Sequence, residues 1–140
     1  MSLSMSTEER ESFLADLHVG IICINRSGKG PLSVPIWYDY EPGGDLWVMT
    51  NSNSIKGKLL SKTDRFSLCA QTEAPPYKYV SVEGPYTTSA STDEKLLHMA
   101  VRYLGEEQGR AYAASSASDD SSLIFSMQPE TWLSVDYTKM

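Results

Sequence analysis

The chain has 140 residues, of which 41% are hydrophobic and 21% charged, which suits a single domain, residues 1–140, whose core needs neither disulfide nor metal. A net charge of -6 and a pI near 4.8 argue against nucleic acid as the main partner, since that requires a basic face. No apolar run reaches the length of a membrane span, and the polar start from Met1 to Arg10 lacks the apolar centre of a signal peptide, so the expectation is a cytoplasmic protein with no membrane contact.

Ser6-Thr7-Glu8-Glu9 has the capping-box form S-x-x-E and predicts a helix that runs to about His18. Phe13, Leu14 and Leu17 share one of its faces. Val19 to Asn25 is β-branched and apolar throughout, as in a strand buried on both sides. Arg26 to Gly30 is a turn. Leu32 to Tyr40 reads as one strand, with Val34, Ile36, Tyr38 and Tyr40 on one face and Ser33, Pro35, Trp37 and Asp39 on the other. Pro35 removes a ladder donor, so this strand belongs at an edge, at a bulge or facing a ligand. Glu41 to Asp45 closes a hairpin onto a strand from Leu46 to Thr50.

Asn51-Ser52-Asn53-Ser54 is a polar loop, and Ser54 is placed to cap a short helix from Ile55 to Leu60. Phe66 to Thr72 and Tyr77 to Thr88 alternate as strands, with Gly84-Pro85 marking a bend in the second. Ser91-Thr92-Asp93-Glu94 repeats the capping-box form. It opens a helix to about Glu107 in which Leu97, Ala100, Val101 and Leu104 line one face. Ala111 to Ala114 adds a short helical turn, and Ser115 to Ser122 reads as a loop. Leu123 to Met127 and Thr131 to Tyr137 are the last strands. The pattern predicts a mainly β fold with flanking helices: a small barrel of about six to seven antiparallel strands and two or three helices.

The polar loop carries the strongest chemical signal. Thr50 and Ser54 hydroxyls, backbone N–H groups near the helix start and the Lys56 ammonium would together cradle a phosphate. The same residues also describe an ordinary strand-to-helix connection with a capping serine and a solvated lysine. Trp37, Tyr38 and Tyr40 could flank a flat ring or simply belong to a core. Asp39, Glu41 and Asp45 gather at the hairpin and read as a solvated turn rather than a metal site. His18 and His98 read as structural or solvated, and Cys23 and Cys69 as reduced core thiols. No nucleophile elbow, Cys–His pair or paired carboxylates stand out, so no catalytic residue is assigned. That scarcity favours chemistry carried by a cofactor.

The segments P-I-W-Y-x-Y, L-W-V-M-T, S-I-K-G-K-L-L-S-K-T-D-R-F-S-L, Y-x-Y-V-S-V-E-G and Q-P-E-T-W-L-S-V-D-Y-T-K, in that order, resemble the pyridoxamine 5'-phosphate oxidase-like split-barrel family. The resemblance implies a split β-barrel, bound FMN, and a homodimer with cofactor sites at the subunit interface. It implies that Pro35, Ile36, Trp37 and Tyr38 run along the isoalloxazine ring, and that Thr50, Asn51, Ser54 and Lys56 hold the phosphate. Tyr77, Tyr79 and Trp132 would close the site from the second subunit. The arginine-rich C-terminal segment of true pyridoxamine phosphate oxidases is missing, which argues against that substrate. The function so implied is hydride transfer between FMN and a small organic substrate. The alternatives are a reductase using the deazaflavin coenzyme F420 and a non-catalytic flavin-binding or storage module; haem on the same scaffold finds no histidine in the motif region.

Overall fold

A computed structural model describes residues 2–116 and 121–140. Its elements in chain order are α1 (Thr7–Ala15), β1 (Gly20–Ile24), β2 (Leu32–Ile36), β3 (Tyr38–Tyr40), β4 (Leu46–Asn51), α2 (Ile55–Leu60), β5 (Arg65–Gln71), β6 (Lys78–Ala90), α3 (Asp93–Leu104), α4 (Glu106–Ser116), β7 (Ser122–Met127) and β8 (Thr131–Asp136). A final 3-10 turn follows at Tyr137–Lys139. The fold is mainly β, as the sequence predicts: one curled antiparallel sheet in the order β2-β1-β5-β6-β7-β4-β3, with β8 added beside β6.

β6 makes the curl. Along one edge, Tyr79 to Pro85 pair with β5; along the other, residues 78–83 pair with β8 and residues 86–90 with β7. The switch falls at Gly84-Pro85, where the sequence predicts a bend. Gly84 is required there: a Cβ would lie 1.8 Å from the Gln128 carbonyl oxygen of the crossing β7–β8 connection. The connection is stitched down by Gln128 N–H to Pro85 O (2.8 Å) and Glu130 N–H to Glu83 O (3.0 Å).

The concave face carries the core, in which Leu14, Ile22, Ile24, Tyr38, Leu46, Val48, Leu68 and Val80 are fully buried. α1 plugs one opening with Phe13 and Leu14, held by the capping box of Ser6 and Glu9. The Tyr38 hydroxyl donates to Leu14 O at 2.6 Å, tying plug to sheet. α2 covers another part of the core with Leu60. Chain ends meet: Asp136 N–H donates to Leu3 O (2.8 Å), Met5 N–H to Ser134 Oγ (3.0 Å), and Lys139 Nζ pairs with Glu9 (2.7 Å).

Several sequence expectations are corrected. α1 ends at Ala15, not near His18, because Asp16 turns extended; Leu17 is therefore 57% exposed rather than on the buried face. His18 accepts the exit, with Nε2 3.1 Å from Phe13 O and its ring stacked on Phe13. β1 is buried on one face only, with Ile21 and Cys23 half-exposed. The stretch from Leu32 to Tyr40 is two strands broken at Trp37. β2 is an edge strand, which accommodates Pro35. α3 is capped by Thr92, which accepts from Lys95 N–H, so Ser91 to Glu94 is not a capping box. Its buried residues are Met99 and Ala100, with Leu97, Val101 and Leu104 half-buried. The chain breaks at Gly105 (φ +85°) and continues as the eleven-residue α4, where the sequence predicts only a short turn. Of the loop expected from Ser115 to Ser122, Ser115 and Ser116 belong to α4 and Ser122 to β7, and residues 117–120 lie outside the described residues.

Candidate functional site

β4 leads the polar loop into place. Thr50 and Asn51 pair with Leu123 and Ser122 of β7, so the loop begins at the rim of the sheet. The loop then closes on itself. Asn51 Oδ1 accepts from Asn53 N–H (2.7 Å), and Asn51 Nδ2 donates to Ser121 Oγ (2.9 Å). Ser54 Oγ donates to Asn51 O (2.7 Å), accepts from Gly57 N–H (3.0 Å) and lies 3.1 Å from Thr50 Oγ1. One donor and two lone pairs are all a serine hydroxyl has. Ser54 is thus fully engaged as a helix cap, and Thr50 is its donor partner with its own lone pairs left over. Gly57 lets the helix sit against the loop, since a Cβ would lie 2.1 Å from Asn51 O. Lys56 is half-buried and forms no ion pair among the described residues.

Beside this loop is a polar cavity of about 600 Å³. Met49, Thr50 and Asn51 form one wall, Ser91 to Asp93 and Leu96 a second, and Tyr112 and Ser116 of α4 a third. A smaller recess of about 80 Å³ shares Met49, Leu96 and Tyr112 and reaches Trp37. Trp37 is stacked on Tyr103, with ring centroids 4.9 Å apart and planes within 6°, and is tilted against Tyr112 at 5.7 Å. The structure therefore brings Thr50 and Asn51 to the polar cavity and Trp37 to the recess that shares three of its residues; Ser54 sits behind Thr50, and neither Ser54 nor Lys56 lines either space.

The other residues singled out in the sequence lie elsewhere in the chain. Pro35 is exposed on β2, and Ile36 is buried in the core. Tyr38 is wholly buried, and burial pushes its phenol well above the ordinary range, so its side chain is a core element. Tyr77 is exposed and Tyr79 half-buried at the start of β6. Trp132 lies under the Arg10 guanidinium at 4.5 Å and edge-on to Tyr40 at 6.1 Å. None of these six lines the polar cavity.

Sequence reasoning missed Tyr112, Ser91, Asp93 and Leu96 as lining residues. The signal for α4 was present but obscured by Gly105 and Gly109. Gly109 serves packing, because a Cβ there would lie 2.6 Å from Val101 Cα of α3.

Two further expectations change. Asp39 is not part of a solvated turn: it is 8% exposed, 2.7 Å from His98 Nε2 and 3.5 Å from Arg102. Cys23 and Cys69 are free thiols half-buried on the convex face of the sheet rather than in the core. Cys69 is opposite Ile21 and Cys23 opposite Ser67, a diagonal relation too wide for a disulfide. Burial pushes the Cys69 thiol up. Among the described residues no group of three or more metal-ligating side chains gathers, and no helix is long and apolar enough to cross a membrane.

This curled antiparallel sheet with flanking helices is an architecture found among solved structures. Solved structures similar to it include a conserved hypothetical protein from Mycobacterium tuberculosis, with a TM-score of 0.77 at 19% identity over 98% of this chain and 88% of that one. An F420 reductase superposes with a TM-score of 0.71 at 19% identity over 88% of this chain and 94% of its own. A FAD-binding protein from Mesorhizobium loti gives 0.67 at 19% identity over 94% of each chain. At such identities the likeness is one of fold. No protein-family model matches the sequence, and no curated protein sequence matches it.

Proposed function

We propose that the chain binds FMN and serves as an oxidoreductase acting on a small organic substrate, with the deazaflavin coenzyme F420 as the alternative ligand. The observation that carries this reading is the polar cavity bounded by Thr50 and Asn51, on the scaffold shared with an F420 reductase and a FAD-binding protein. Its volume falls within the usual range for small-molecule sites. The donor set fits a phosphorylated ligand: Thr50 at the rim, amide groups of the polar loop, and in Lys56 a cation not committed to any ion pair among the described residues.

The bound isoalloxazine would supply the hydride chemistry. The chain's own residues would bind and orient it. Lys56 would neutralise the phosphate, the loop would fix its position, and the Trp37–Tyr103–Tyr112 cluster would hold α3 and α4 as one wall of the cavity. Asp93 is the only carboxylate lining that space, and no histidine or cysteine joins it among the described residues, which fits a protein that positions rather than attacks.

A homodimer completes the reading. The convex face of the sheet carries Pro35, Ile21, Cys69, Ser81 and the 60%-exposed Leu133 in one register row, with Tyr77 exposed nearby. A second copy seated there would cover apolar surface and bring Tyr77 and Tyr79 towards its partner's site, whereas Trp132, opposite Val82, packs on the other face of the sheet.

Titration of the purified protein with FMN and with F420, followed by fluorescence, tests the reading. Saturable binding of FMN supports it, and tight F420 binding with weak FMN binding selects the deazaflavin version. Binding of neither ligand refutes it.

A further inference from the structure

We propose a second ligand site, separate from the polar-loop cavity, that takes a small organic cation: an amine carried on an apolar body. The site is a cavity of about 690 Å³ between α3, the β3–β4 hairpin, the end of α1 and the start of α4. It shares no lining residue with the polar-loop cavity.

Ala15, Pro42, Leu97 and Val101 give it an apolar lining. Its polar end is built on Asp39. One carboxylate oxygen accepts from Tyr40 N–H at 2.9 Å and lies 3.5 Å from Arg102; the other is 2.7 Å from His98 Nε2. A carboxylate only accepts, so Nε2 carries the hydrogen. The imidazole lines the cavity, is 58% exposed, and has no hydrogen-bond partner for Nδ1 among the described residues.

The charges settle the sign of the ligand. Arg102 is committed to Asp39 and to the carbonyls of Tyr38, Ala15 and Asp16. Arg110 is paired with Glu106 at 2.9 Å. Glu41 and Glu94 also line the cavity and have no ion-pair partner among the described residues. The rim therefore offers acceptors and uncompensated negative charge, while its cations are spent. An ammonium satisfies such a rim and a carboxylate does not, and an apolar body matches the lining. Among the described residues no serine, threonine or cysteine lines the cavity.

The test is a two-dimensional amide NMR titration with phenethylamine and, separately, with hydrocinnamate, which has a similar apolar body and the opposite charge. Phenethylamine is expected to shift the signals of Leu97, His98 and Val101 saturably, and hydrocinnamate is not. Replacing both exposed glutamates (E41Q/E94Q) should weaken phenethylamine about fivefold with unchanged thermal unfolding. The same shifts should persist with FMN present, which separates this site from the proposed cofactor site. Equal binding of acid and amine, no saturable shift, an unchanged affinity in E41Q/E94Q, or shifts centred on Thr50 and Asn51 would each overturn the proposal.

Discussion

Gly57→Ala tests the junction between the polar loop and α2 more directly than removal of any polar side chain. A Cβ at this position would stand 2.1 Å from Asn51 O and 2.8 Å from Ser52 Cα. Both are backbone atoms, so no rotamer change relieves the clash, and the helix must retreat by roughly 1 Å to restore ordinary contact. Overpacking of this kind costs about 1–3 kcal/mol. The retreat also stretches the 3.0 Å bond from Gly57 N–H to Ser54 Oγ, a cap worth about 1 kcal/mol. Alanine recovers about 0.5–1 kcal/mol of helix propensity, so the clash wins and the net loss is about 2 kcal/mol. In urea, with m near 2 kcal/mol/M, the midpoint should fall by about 1 M with m unchanged. Gly30→Ala is the control: nothing lies within 4 Å of a Cβ there, and its φ is not positive. It should leave stability unchanged or raise it by up to about 1 kcal/mol. FMN affinity should fall in G57A and not in G30A. A G57A protein within about 0.5 kcal/mol of the parent would refute the close approach of loop and helix.

Lys56→Ala should cost about 1.5–3 kcal/mol of affinity for FMN or F420, measured by fluorescence titration, because a charge-assisted phosphate contact is lost. Asp39→Ala strands the largely buried Arg102 guanidinium and should destabilise by about 3 kcal/mol in urea. His98→Ala removes only the exposed partner of Asp39 and should cost less than about 1 kcal/mol. Glu9 is held at about 2, against an ordinary 4.5, chiefly by its hydrogen bond to Lys139 and then by the Ser6 backbone N–H. A depressed carboxyl stabilises the fold above its ordinary value, and that stability is lost as pH falls from 4.5 towards about 2. Urea midpoints of E9Q should therefore decline less steeply than those of the parent across that window, and parallel declines would count against the Glu9–Lys139 contact.

Much of the fold was legible because local chemistry and tertiary structure agree. Ser6 and Glu9, Ser54, Gly84 and the alternation of β5 and β6 each act where the sequence places them. The misplacements share a cause, which is backbone groups satisfied by distant side chains. Leu32 to Tyr40 alternates like one strand, yet Tyr38 N–H donates to the Tyr103 hydroxyl (3.1 Å) and Tyr38 O accepts from Arg102 Nε (3.0 Å). α3 thus supplies partners that a strand neighbour would otherwise provide, and the ladder breaks at Trp37. Likewise Ser91-Thr92 offers two overlapping caps. Ser91 is drawn away, with its N–H to Ser122 O and its hydroxyl to Met49 Sδ, and Thr92 takes the role.

The local geometry of the candidate site was legible on the same terms. The polar loop shows itself by residue type, because hydroxyls and amides before a short helix have a local job that leaves a mark in sequence. Asp39 does not, because its partners lie 59 and 63 residues downstream; the neighbouring Glu41 and Asp45 make it look like one more solvated acid. The aromatic residues divide by the same logic. Tyr38 and Trp37 find partners within their own chain, in Leu14 O and Tyr103, and so belong to the scaffold. Tyr77 finds no ring partner among the described residues and stands half exposed at the end of the open sheet face. A large aromatic left uncovered at the start of β6, the strand whose Ser81 pairs with Leu133, has a physical reason to be there if a second copy covers it. Among the described residues Lys56 forms no ion pair and Tyr77 no ring contact, and the cofactor and dimer readings depend on these two.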